Sequence, residues 1–279
     1  MILLMACGGE PAGPASIDTG TAPHEVTEYD LSWSTDPDPL EAGEQGTFTI
    51  QVADQHGHAI DDLQQNHDRM VHTMFVSADW TSFSHLHHED FADLTVEDLR
   101  AATFQFPITL PVAGPYLMMF GYAHQNQWLF AEDVLQVGGG PEQAVSPDTT
   151  VNTEVLLEGL LVKLNWAGEP NAGYESSWTV TITETDGTPV VDLVQYLGAD
   201  AHCAIVNEWL TWGSHTHAWF PDMDSMAPGM EMPHLFSGPD VPFAYVFPSG
   251  GTYKMWIQFT RESVPGVVYQ APFVFEVAG

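Results

Sequence analysis

Basic residues are nearly missing from this chain. Five Lys and Arg stand against 38 Asp and Glu in 279 residues, a formal charge of -33. Such a surface repels phosphate backbones, which excludes nucleic acid as a partner. It gathers cations instead, and it also keeps a protein hydrated in a salty medium. Cysteine is scarce: Cys7 and Cys203 are the whole supply. Beyond the first few residues no stretch approaches the roughly 18 apolar residues of a membrane span. There is no Ser or Cys nucleophile motif, no Gly-rich phosphate loop and no dinucleotide fingerprint. Acids are too numerous for any carboxylate pair to stand out as catalytic.

What is present describes a globular protein with room for two domains. Apolar residues make up 44% of the chain, and 24 Gly and 20 Pro fall mostly between apolar alternations, the pattern of an all-β protein with many turns. The opening "MILLMACGGE" places Leu4, Met5 and Ala6 before Cys7, a bacterial lipobox in form. Only six residues precede the cysteine and none is basic, so the signal peptide reads as truncated. Lipidation of Cys7 leaves Cys203 without an intrachain disulfide partner and anchors the chain to a bacterial membrane, in the periplasm or at the cell surface. Residues 1–27 are then signal remnant, lipobox and a Gly/Pro-rich tether. The first domain spans 28–138, a linker 139–150, and the second domain 151–279.

The two halves are related. "DDLQQNHDRMVHTMFVSADWTSFSHLHHE" (61–89) sets over "VDLVQYLGADAHCAIVNEWLTWGSHTHAW" (191–219) with no gap. His72 meets His202, His85 meets His215, and His87 meets His217. Later, "VAGPYLMMFGYAHQ" matches "SGGTYKMWIQFTRE" through Gly114/Gly251 and Tyr116/Tyr253. This is an internal duplication, and packing alone explains agreement at three histidines poorly. Period-two alternation predicts strands in "GTFTIQVAD", "SSWTVTITETDG", "TYKMWIQFT" and "YQAPFVFEV", with a short helix within 91–102. The fold class is all-β: two tandem immunoglobulin-like (cupredoxin- or CopC-like) β-sandwich domains.

His-x-His on a strand puts both rings on one face. A turn centred near residues 79 and 80 folds His72 across from His87, and the same fold-back sets His202 across from His217. Opposed Cβ atoms in such pairs lie about 4.5–5.5 Å apart, so each half brings three imidazoles to one patch. A one-residue slip would send His72 to the other face. A neutral three-histidine set suits copper, with zinc as the alternative. The second half adds "PDMDSMAPGMEMPH", with Met223, Met226, Met230, Met232 and His234. Thioethers are soft ligands for Cu(I). His67, His88 and His124 are candidate extra ligands of the first half. Cys203, next to His202, points to the opposite face and reads as a small buried hydrophobe.

The run "DLVQYLGADAHCAIVNE", then "HTHAW", "FPSGGTYKMWIQF" and "YQAPFVFEV" resembles bacterial extracytoplasmic sandwich domains of the YtkA-like and copper-resistance-like kind. The likeness covers most of 176–278 and, more faintly, 46–137. Many relatives carry Pro after the second histidine of His-x-His, where this chain has His88 and Ala218. The resemblance implies a β-sandwich in an extracytoplasmic compartment, and metal handling by association. The expected protein is a lipid-anchored copper-binding chaperone or sequestering protein, with a copper-transport protein as partner. A mononuclear metal enzyme with an open ligand position, and an adhesive or structural module without metal, are the alternatives.

Overall fold

The computed structural model describes residues 29–140, 146–221, 226, 230 and 232–279. The lipobox cysteine Cys7 and loop residue Met223 lie outside them. The first unit runs β1 (Tyr29–Asp36), β2 (Gln45–Asp54), β3 (Val71–Ser77), β4 (Phe83–Leu86), helix α1 (Val96–Ala101), β5 (Thr103–Thr109), β6 (Gly114–His124) and β7 (Gln127–Val137). Two antiparallel sheets form, β1-β2-β5 and β4-β3-β6-β7. The helix starts where Thr95 and Asp98 close a capping box and stops at Ala102, which turns left-handed.

The second unit repeats the plan with β8 (Glu154–Leu157), β9 (Leu160–Trp166), β10 (Glu175–Glu184), β11 (Leu193–Val194), β12 (His202–Asn207), β13 (Gly213–His217), β14 (Asp240–Val246), β15 (Gly251–Arg261) and β16 (Val264–Val277). One sheet is β14-β10-β9-β8. In the other, β12 lies between β13 and β15, β16 pairs the far side of β15, and β11 extends the near side. The protein is therefore all-β, with two tandem immunoglobulin- or fibronectin-like sandwich units.

Alternation builds each core. Phe48, Ile50 and Val52 of β2 and Phe104, Phe106 and Ile108 of β5 point inward. Phe48 meets Phe75 and Phe120 of the facing sheet, at 5.1 and 6.3 Å between ring centroids. In β15, Tyr253, Met255, Ile257 and Phe259 enter the second core, and Cys203 lies there too. Burial pushes the Cys203 thiol far above its usual range, so it behaves as a hydrophobe and not as a thiolate ligand.

Much of the opposite faces of these sheets does not meet water. Met74, Val76, Leu117, Met119 and Phe130 of the first unit form one apolar cluster with Ala204, Val206, Trp256 and Val274 of the second. Phe83 stacks on Trp256 at 5.0 Å, and Lys254 donates to the Trp80 carbonyl at 2.8 Å. Every residue of β3 is consequently buried. The units thus close sheet to sheet, and the histidines stand at one end of that seam.

Candidate metal centre

Strand register delivers the rings. In the second unit His202 sits opposite His217 and Ala204 opposite His215. In the first, Met74 sits opposite His85 and Thr73 opposite Leu86, so the next step along the ladder brings His72 to His87. Both trios face the other unit. Strand alternation alone gathers each trio on a patch of its own domain. The structure corrects that picture: all six rings are buried, with His72, His87 and His202 at 0% exposure, and the trios merge into one interdomain cluster. Reciprocal pairs recur across the seam, His72 with His215 at 5.4 Å and His85 with His202 at 5.8 Å between ring centroids. His85 and His215 approach each other at 4.9 Å. This is the self-complementary pattern of a two-fold interface, produced within one chain by duplication.

Hydrogen bonds define the first trio atom by atom. His72 Nε2 meets the Asn66 carbonyl at 3.0 Å, His85 Nδ1 meets Gln258 Oε1 at 2.9 Å, and His87 Nδ1 meets Asp90 Oδ2 at 2.8 Å. Each partner is an acceptor, so each of those nitrogens carries the proton. The remaining nitrogens, His72 Nδ1, His85 Nε2 and His87 Nε2, are lone-pair donors. They lie 3.0–3.1 Å from one another. Three lone pairs at that distance repel unless a cation lies among them. Imidazole nitrogens about 2.0–2.1 Å from a tetrahedral ion would stand ~3.3 Å apart, close to what is seen.

The second trio is less constrained. His202 Nε2 donates to the Tyr196 carbonyl at 2.7 Å, and its Nδ1 lies 3.0 Å from His215 Nε2. Among the described residues, His215 Nδ1 and His217 Nε2 are buried without a hydrogen-bond partner. The duplication explains the first of these. Gln258, which orients His85, has Gly121 as its counterpart, and a side chain there would collide with the Trp128 ring at 2.4 Å. Two triplets, His72/His85/His215 and His202/His215/His217, each present one nitrogen per ring within 4.8 Å of the others. The clustered histidines can therefore chelate a metal.

Burial keeps the rings neutral. It pushes His67 and His85 down to about 4. It holds His72, His87, His202, His215 and His217 well below the usual imidazole range, and neighbouring rings add to the effect. Neutral imidazole is the ligating form. Among the described residues Asp90 is the only carboxylate hydrogen-bonded to a ring of the cluster, and it also pairs with Arg69.

A seventh ring, His67, joins the cluster. Its centroid is 3.9 Å from that of His217 and 6.1 Å from that of His202. His88 and His124 stand elsewhere: His88 Nδ1 accepts from the Gln105 amide, and His124 bridges Tyr29 and Asp62. His234 also stands apart, bonded to Asp200 and Ser237. Met226 and Met232 pack with Ala199, Phe220 and Phe236. Met230 and Met232 line a cleft that His67 also lines.

The family model of a domain of unknown function (DUF8832) matches residues 24–139 and again 153–279. The chain belongs to this family, in two copies. No curated protein matches it. Among solved structures it is similar to the Escherichia coli adhesin FdeC, at 16% identity over 89% of this chain and 64% of that one, with a TM-score of 0.26. A two-domain fibronectin type III segment of chicken tenascin matches at 11% identity, covering 89% of this chain and 98% of its own, with a TM-score of 0.24. The fibronectin(III)-like modules of Clostridium thermocellum CbhA match at 10% identity over 88% and 94%, with a TM-score of 0.21. The chain thus spans less than two thirds of the adhesin's length, and TM-scores this low carry no conclusion.

Proposed function

We propose that this protein binds copper at the interdomain histidine centre and serves as an extracytoplasmic copper-sequestering protein or chaperone. The observation that carries the reading is the first trio: three buried, neutral imidazoles, each protonated on the outer nitrogen and turning a lone pair inward, at 3.0–3.1 Å. A carboxylate behind His87 is the usual support of a metal-bound imidazole.

Charge separates the candidate ions. Two divalent ions about 5 Å apart would repel by ~13 kcal/mol at an effective dielectric near 20, and two monovalent ions by ~3 kcal/mol. Neutral rings and one aspartate offset little of the former. The centre therefore suits two Cu(I) ions, one per trio, or a single divalent ion shared between units. Zinc is the second reading, favoured by the Asp90–His87 pair and by the absence of sulfur from the trios themselves. Lipid anchoring through Cys7, a copper-transport partner and kinship with copper-resistance-like sandwich domains belong to the same proposal. They are supported by the lipobox spacing and by the quoted sequence likeness. No helix among the described residues is long and apolar enough to cross a membrane. The test is equilibrium dialysis of the full chain against buffered Cu(I) and against Zn(II). The reading expects about two Cu(I) or one Zn(II) retained per chain. Retention of neither would overturn it.

A further inference from the structure

A buried centre needs a way in, and the duplicated halves differ on that point. The approach to the cluster is the segment before β3 and its copy before β12. His67 and Leu197 occupy equivalent positions there and share the same left-handed backbone, φ 49° in both. Their neighbours Asp68 and Gly198 are likewise equivalent. His67, Asp68, Gln65, Gln195, Gly198, Met230 and Met232 line an interdomain cleft of about 350 Å³. His67 is half-buried, its ring lies over His217, and its Nδ1 is buried without a hydrogen-bond partner among the described residues. One residue thus touches both the cleft and the cluster.

The other half offers no such bridge. Leu197 has no donor atom, and the cleft it lines also holds Arg69 and Arg261. Both arginines there are ion-paired, Arg69 with Asp90 and Arg261 with Asp192 and Glu184, and Asp68 lines both clefts. The halves therefore differ in donors: the approach that ends in imidazole carries two thioethers, and the approach that ends in leucine carries none. Met230 is 54% exposed and Met232 is 8% exposed, so the sulfur-bearing residues run from solvent towards the interior.

We infer that the cleft at His67 is the route by which a soft cation reaches the buried imidazoles. Met230 and Met232 take the ion first, and His67 hands it to His217 and His202. Each transfer exchanges one neutral ligand for another, so no electron or proton moves. The thioethers select Cu(I) at the mouth, and the all-imidazole interior then holds it. This inference rests on the metal reading above and adds the direction and the selectivity of loading.

The experiment follows Cu(I) transfer from a chromophoric chelator to the full-length protein by stopped flow, and reads both rate and final stoichiometry. His67→Leu reproduces the residue that the duplicate carries at the same backbone geometry, so the fold is expected to persist. Loading should slow by at least about tenfold, equivalent to ~1.4 kcal/mol of barrier, with final stoichiometry unchanged. The double variant Met230→Leu/Met232→Leu conserves apolar volume and should slow Cu(I) while leaving Zn(II) loading at the wild-type rate. A wild-type rate in His67→Leu overturns the route. Reduced final stoichiometry in that variant also overturns it, because His67 is then a resident ligand. Equal slowing of both metals in the methionine variant removes sulfur from the route. Failure of the wild-type protein to take up any metal is a separate result and removes the metal reading itself.

Discussion

At the scale of the residue, the acceptors behind the rings matter as much as the rings. Asp90 accepts from both the backbone amide and Nδ1 of His87, at 3.0 and 2.8 Å. Asp90→Ala should lower metal affinity about 10- to 100-fold, the usual cost of losing such a support, read by chelator competition with stoichiometry intact. The depressed ring pKa values give a second expectation, for the metal-free protein. The unfolded chain takes up protons on these histidines below about 6.5, while His67 and His85 stay neutral in the fold down to about 4. Unfolding therefore binds protons in that window, and stability falls as pH drops through it. Above it, these rings contribute no pH dependence. Asp90 and Arg69 are the charged pair facing His87. Thermal melts of metal-free protein between pH 7.5 and 4.5 should show the decline, and replacing His85 and His215 by Gln should flatten it.

At the scale of the element, the seam is made by one face of each β3/β12 sheet. Ala204 is 1% exposed and sits in the interdomain apolar cluster. Ala204→Asp buries an unpaired charge there and should cost several kcal/mol of interface. Cysteine, phenylalanine and tyrosine of the second core lie on the other face and are untouched. The expected outcome is two folded units that separate, seen as a larger radius of gyration by small-angle scattering with unchanged circular dichroism. A compact variant of wild-type dimensions would mean that the cluster does not hold the units together. Period-two alternation makes most strands legible in the sequence. The fold-back of His72 onto His87 and the inward turn of Cys203 are legible for the same reason. Closure of the two units is not legible from alternation. Its trace is "VHTMFVS", which runs apolar on both faces instead of alternating, the mark of a strand buried on both sides. His72 within it hides the signal, because an imidazole suits an exposed face and a seam alike. His67 was visible only as a lone histidine, because the fold alone brings it to His217. Met226 and Met232 of the methionine loop also pack with Ala199, Phe220 and Phe236, a contact that loop composition does not reveal.

At the scale of the whole molecule, duplication turned two modest histidine patches into one enclosed site. Neither unit encloses its own trio: Gln258 of the second unit orients His85 of the first, and His215 belongs to both ligating triplets. Metal binding and interdomain closure are therefore expected to be linked, with a ligand that binds only the closed form stabilising it by mass action. Adding Cu(I) at about 100 times its dissociation constant should raise closed-form stability by ~2.7 kcal/mol, read as slower proteolysis between residues 139 and 150. The linkage should vanish in the His85→Gln/His215→Gln protein. The central claim is that the buried imidazoles of the interdomain cluster hold the metal. X-ray absorption on the copper-loaded full chain tests it most directly. The account predicts a first shell of nitrogen at about 2.0 Å with imidazole outer-shell scattering, lost together with the bound copper in His85→Gln/His215→Gln. A shell of oxygen or sulfur alone, or an unchanged spectrum and copper content in that variant, would contradict it.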